Sequence, residues 1–283
     1  MATQPVSLTY LGVAGWHVMC GARSLLIDPY FTREPLWKVI AGRARTDTSL
    51  VQRYTPPADV LLVSHAHYDH IQDVPEVALL TGAAIYASPQ SCQLLHRLGV
   101  PETQVSPIQP GSYLDLGSII VEVYKTPHRH ILGSIPLQGA LRTNAKPPLR
   151  IRDYRMDCQY SFRLTCNGLR ILVASGIDEE PAVEADVLLV GPDIRSEQLT
   201  GLLQATQPRL VLPNHWDDLF RPLSAPLRTI RYPAIPLWRV SLDKFSTLVR
   251  DLHPQTQVLI PERMTPYNLS AYYAGEGQGK NYG

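Results

Sequence analysis

The 283-residue sequence has no apolar run of the roughly 18 residues that a membrane span needs, so no membrane partner is expected. Its first residues lack a basic stretch leading into an apolar core, and a secretory leader is therefore not expected either. Charge of one sign is also missing. Lys and Arg number 26 against 25 Asp and Glu, and the net charge of +1 offers no global field to draw in nucleic acid. Cysteine is scarce: Cys20, Cys92, Cys158 and Cys166 contain no C-x-x-C pair, and four in a chain of this length do not make a disulfide framework. Buried free thiols in a reducing cytoplasm are the expectation. With 45% hydrophobic and 18% charged residues the chain is not disordered, and its length suits one large layered domain or two small ones. Repeats at periods of 20–50 residues are absent.

What is present is a succession of short strands with helices between them. Residues 6–10 and 24–27 are strand-like, the second ending at Asp28-Pro29, where proline disfavours continuation. After Pro56-Pro57, residues 60–63 form a continuous apolar run of the kind found in strands covered on both faces. Residues 73–81 and 89–98 read as helices around a strand at 84–87, with Asp73 as the N-cap of the first. A strand at 118–124 leads into Thr126-Pro127-His128-Arg129-His130. Periodicity fails from 135 to 157, where Pro, Gly and Arg accumulate, and the stretch reads as a basic loop or lid-like insertion. Asn167-Gly168 then joins strands at 160–166 and 169–174 through a type I′ turn. Strands at 187–190 and 210–213 flank a helix at 197–206, a last helix covers 242–252, and residues 274–283 form a Gly-rich tail. Clustered strands with interleaved helices predict an α+β domain over 1–283, its helices outside packed sheets.

The chemistry is concentrated immediately after the apolar run, in Ser64-His65-Ala66-His67-Tyr68-Asp69-His70. Imidazole and carboxylate are the usual ligands of zinc and similar divalent ions, and crowding four of them at one strand end aims several lone pairs at one place. An ordinary core gains nothing from three adjacent histidines, because neutral rings need partners and cationic rings repel. Four ligands do not complete two metal sites. His128, His130, Asp178 and His215 each follow a predicted strand end, as a cleft at a sheet edge requires. Of nine histidines only His17, His96 and His253 fall outside this set, and they read as structural.

These motifs resemble the metallo-β-lactamase superfamily. Within it, Tyr10-Leu11-Gly12-Val13-Ala14-Gly15, Leu26-Ile27-Asp28-Pro29-Tyr30-Phe31 and Leu212-Pro213-Asn214-His215-Trp216-Asp217 are similar to the branch containing L-ascorbate-6-phosphate lactonase and N-acyl-phosphatidylethanolamine phospholipase D. The resemblance, over about residues 5 to 220, implies a four-layer αββα sandwich with two divalent ions at one edge, zinc first and manganese or iron as alternatives. It implies that His65, His67 and one later histidine hold the first ion, and Asp69, His70 and His215 the second, with a bridging carboxylate. Alternation does not choose between His128 and His130. The branch's Pro-x-x-His pattern selects His130, and His128 is kept beside it. Where the family reads Gly-Asp, this chain has Ser175-Gly176-Ile177-Asp178. Either Asp178 bridges across one extra residue, or the second ion is weakly held. Asp28 is the implied partner of a ligand histidine.

Such a pair of ions makes a hydroxide nucleophile available at neutral pH, which Asp69 would also orient, for attack on an ester, lactone, amide or phosphoester. Arg152 and Arg155 in the basic insertion are candidates for holding an anionic group on a small-molecule substrate, and Trp216 either lines the pocket or packs beneath it. Alternatives are a phosphodiesterase acting on phospholipid or nucleic acid, a diiron oxidoreductase, or a non-catalytic metal-binding protein. Related folds assemble, so a homo-oligomer is compatible with the sequence.

Overall fold

In a computed structural model of the protein the described residues are 5–128, 137–175, 181–230 and 240–270. Among them, fourteen strands form two seven-stranded sheets. The first contains β1 (Val6–Gly12), β2 (Gly15–Cys20), β3 (Arg23–Ile27), β4 (Val60–Leu62), β5 (Ala84–Ala87) and β6 (Val105–Pro107), with β14 (Pro266–Asn268) beyond β1. The second runs from β7 (Tyr113–Asp115) through β8 (Ile119–Thr126), β9 (Gln159–Cys166), β10 (Leu169–Val173), β11 (Val187–Val190) and β12 (Leu210–Pro213) to β13 (Gln257–Val258). In each sheet an antiparallel meander gives way to parallel strands, from β3 in the first and from β10 in the second.

Parallel pairs need crossovers, and helices supply them. Helices α1 (Leu36–Ala41) and α2 (Thr48–Tyr54) join β3 to β4, α3 (Tyr68–Ile71) and α4 (Val74–Thr81) join β4 to β5, and α5 (Pro89–Arg97) joins β5 to β6. In the second sheet α6 (Ser196–Thr206) joins β11 to β12, and α7 (Leu242–Leu252) precedes β13. This covering explains why β4, β11 and β12 are wholly buried runs of apolar residues. The inner faces share one core, and a second cluster packs Leu188, Val190 and Val211 under Leu199, Leu203, Phe245 and Val249 of α6 and α7. The result is the four-layer αββα sandwich. Among the described residues no helix is long and apolar enough to cross a membrane.

One expectation is corrected. Asp73 occupies the N-cap position of α4 without capping it; its carboxylate instead accepts from the backbone N–H of Phe31 and Thr32 and from Thr32 Oγ1. That buried carboxyl thereby ties the loop after β3 to the start of the helix. From residue 137 on, the basic stretch is irregular in backbone, as a loop is, but it is anchored and not free-standing: Leu141, Leu149, Ile151, Tyr154 and Met156 are buried in the shared core. The Gly-rich tail at 274–283 lies outside the described residues.

Candidate metal centre

The strand directions bring the carboxyl ends of β3, β4, β8, β10 and β12 to one edge of the sandwich. The two sheets are tied there by Tyr160 N–H donating to Ser64 O at 3.0 Å. His65 follows β4 with two residues between, and His67 is extended at the N-cap position of α3. The single turn of α3 then swings Asp69 and His70 back beside them. Ring centroids of His65 lie 4.6 Å from His67 and 3.9 Å from His70. His128, two residues past β8, brings its ring to 4.7 Å from His67 and 5.2 Å from His65. His215, two residues past β12, stacks against His70 at 5.4 Å.

Two trios result, His65–His67–His128 and Asp69–His70–His215, each offering ligand atoms within 4.8 Å of one another, and each could hold a metal ion. His65 Nε2 is buried without a hydrogen-bond partner, a cost that a cation at that point removes. Donor types and geometry therefore fit divalent metal. In the second trio Asp69 Oδ2 lies 3.1 Å from His215 Nε2 and 3.7 Å from His70 Nε2. Asp28 stands behind it, its Oδ2 2.8 Å from His70 Nδ1 and its carboxylate also accepting from the Ser64 N–H and hydroxyl. With its Nδ1–H donating to Asp28, His70 keeps its Nε2 lone pair free for a cation beside Asp69. Asp28 adopts a φ of 44°, a left-handed conformation that Asp tolerates.

Electrostatics prepare the donors. Burial, reinforced by neighbouring imidazoles, pushes His65 well below the ordinary histidine range and His67 to about 3, so both rings are neutral and able to ligate. Burial alone would raise Asp69, but His70 and His215 hold it below the usual carboxylate range, and it is ionised. Burial alone would lower His215, yet its hydrogen bond to Asp69 outweighs this and raises it.

The structure brings together His65, His67, Asp69, His70, His128, His215 and Asp28. His130 and Asp178 lie outside the described residues. Trp216 is buried and stacked on Tyr10 at 5.8 Å between centroids, packing beneath the site. Arg155 donates to the carbonyls of Ala140 and Gln138, whereas Arg152 is exposed on a 3₁₀ turn. The insertion does reach this edge: Leu137 O lies 3.3 Å from His67 Nε2.

Several residues escaped the sequence reading. Ser64 joins Asp28 to both His65 and His70. Gln159 and Ser161 grip Ser175, Gln159 by donating to its carbonyl and Ser161 by accepting its N–H at 2.9 Å. Arg33 pairs with Asp217 in complete burial. The only sequence trace of this last group is that the Tyr10–Gly15 and Leu212–Asp217 stretches stand out together; in the fold they interlock, with Trp16 Nε1 donating to Asn214 Oδ1 at 2.9 Å.

Two mixed sheets packed face to face, with histidine and aspartate trios at their carboxyl edge, define a metallo-β-lactamase fold protein. The family model described as "Beta-lactamase superfamily domain" matches residues 23–178, and the chain belongs to that family. It is similar to a UPF0173 metal-dependent hydrolase of Pyrobaculum arsenaticum, 31% identical over 125 residues, which covers 44% of this chain and 51% of that protein. The chain thus spans about half the length of the first curated relatives it matches. In fold it is similar to the metallo-β-lactamase fold protein YhfI of Bacillus subtilis, with a TM-score of 0.59 at 15% identity over 93% of this chain and 99% of the other. It is also similar to CmlA, a diiron β-hydroxylase of Streptomyces venezuelae, with a TM-score of 0.62 at 15% identity over 95% and 55%. At such identities the likeness is one of fold alone.

Proposed function

We propose that the chain is a dinuclear, zinc-dependent hydrolase of small-molecule esters, lactones, amides or phosphoesters. The observation that carries this reading is the pair of adjacent trios, one of them built round the unpartnered, buried Nε2 of His65. His65, His67 and His128 would hold the first ion and Asp69, His70 and His215 the second, with His130 the alternative to His128 and Asp178 the bridging candidate. When bound, such ions acidify water toward neutrality and polarise a carbonyl or phosphoryl oxygen. The chain's own residues do the rest. Asp28 and Ser64 fix the tautomer and orientation of His70, and ionised Asp69 accepts a hydrogen bond from the attacking water and orients it. Of the two candidate arginines, Arg152 is exposed on the insertion and is the one left to meet an anionic substrate group, because Arg155 is engaged by backbone carbonyls. The test is metal analysis of protein purified without added metal, followed by assay against lactones, phosphodiesters and β-lactams. Two zinc ions per chain, with turnover lost to chelator and restored by zinc, are expected. No hydrolysis with both ions loaded would overturn the proposal, as would native iron accompanied by oxidase activity.

A further inference from the structure

His215 is the one member of the second trio carried by the far sheet, and its backbone is left-handed. It sits at φ 51°, a conformation that histidine adopts more readily than most residues but that still needs its hydrogen-bond partners to hold it. Its N–H donates to Val13 O at 2.8 Å, and Val13, a β-branched residue, is itself at φ 53°. Val13 N–H in turn donates to Asp217 Oδ1 at 2.6 Å, which closes a ring back to the chain two residues beyond His215. Tyr10 donates its hydroxyl to the same oxygen at 2.7 Å, and Arg33 Nη2 pairs with Asp217 Oδ2 at 2.9 Å. The Val13, Tyr10, Arg33 and Asp217 side chains are buried, and the Arg33 charge holds Asp217 ionised despite that burial. Room for the guanidinium exists because residue 12 is glycine: a Cβ there would lie 2.0 Å from Arg33 Nη2.

We infer that Asp217 and Arg33 are positioning residues for the second ion, acting through Val13 on the backbone of His215. This rests on the proposal that His215 is a ligand. Neither side chain belongs to either trio. The pair neutralises itself in a site that tolerates no unpaired charge, and what it fixes is the left-handed peptide from which the imidazole projects.

The test uses cobalt(II) titrated into metal-free full-length protein, with stoichiometry by native mass spectrometry and the visible absorption of bound cobalt as the second readout. Asp217→Asn should weaken the second ion about 10- to 100-fold, the effect typical of groups that orient a ligand, while the first ion binds as in the parent. Arg33→Lys should recover part of what Arg33→Met loses. Tyr10→Phe, which removes only a hydroxyl, should give a smaller loss confined to the same ion, and it carries the test if Asp217→Asn does not fold. Unchanged binding of the second ion in these variants overturns the inference, as does equal loss of both ions in step with a lowered Tm. His215→Ala separates the two levels: if it also keeps the second ion, the ligand assignment fails. If it loses that ion while the Asp217 and Tyr10 variants keep it, only the positioning role fails.

Discussion

At the scale of single side chains, His67 and His215 lie on opposite sides of the ordinary imidazole range. His67 stays neutral down to about pH 3, whereas Asp69 stabilises the charged form of His215 and raises its pKa above 6.5. Because a ligand must be deprotonated to bind, protons compete earlier for the second trio. Acidification is therefore expected to reduce the metal content from two ions to one before it empties the site, and the ion remaining should be the one on His65 and His67. Metal analysis after dialysis at stepped pH checks this; simultaneous loss of both ions would contradict it. Asp28→Asn should cost about 10- to 100-fold in affinity at the second trio, read by competition with a fluorescent chelator. His65, His67, Asp69 and His70 were legible because four potential ligands fall within six residues, and Asp28 because it ends a strand within a motif that resembles the family's. Arg33 and Asp217 were not, since a partner 184 positions away leaves no local pattern.

Among the elements, two glycines separate backbone strain from packing. Gly168 ends the hairpin turn at φ 84° with nothing near its missing Cβ, so Gly168→Ala should cost only the left-handed penalty, about 1–2 kcal/mol. Gly12→Ala should also drive Arg33 off Asp217 and cost at least about 3 kcal/mol, the scale of a broken buried ion pair. Urea unfolding of both variants checks the order, which reverses if the guanidinium can be accommodated elsewhere. Strands covered on both faces were legible as unbroken apolar runs, and the Asn167-Gly168 hairpin by its turn chemistry. Strand β2 was not, because burial of five of its six residues erases alternation and leaves His17 among them. Edge strands β13 and β14, of two and three residues, are too short to carry any period.

For the molecule as a whole, the candidate ligands follow strands of both sheets, so a metal ion held by them would bind the assembled sandwich and not its separate strands. Saturation at about 100 times Kd adds about 2.7 kcal/mol. At about 2–4 °C per kcal/mol, chelator should then lower Tm by about 5–10 °C, measured by circular dichroism with and without zinc. An α+β domain with helices outside packed sheets was legible from strands and helices alternating along the chain, and the αββα layering from the motif resemblance; which strand ends meet was not, because that depends on sheet order. The segment from Leu137 to Met156 has a consequence of its own. It approaches His67 through a carbonyl, and it also buries Leu141, Leu149, Ile151, Tyr154 and Met156 in the common core. Such a segment cannot be grafted or deleted as a module without opening the interior. Diversification of this scaffold is thus channelled into exchanges of its outward side chains, such as Arg152, while its backbone path is inherited with the fold.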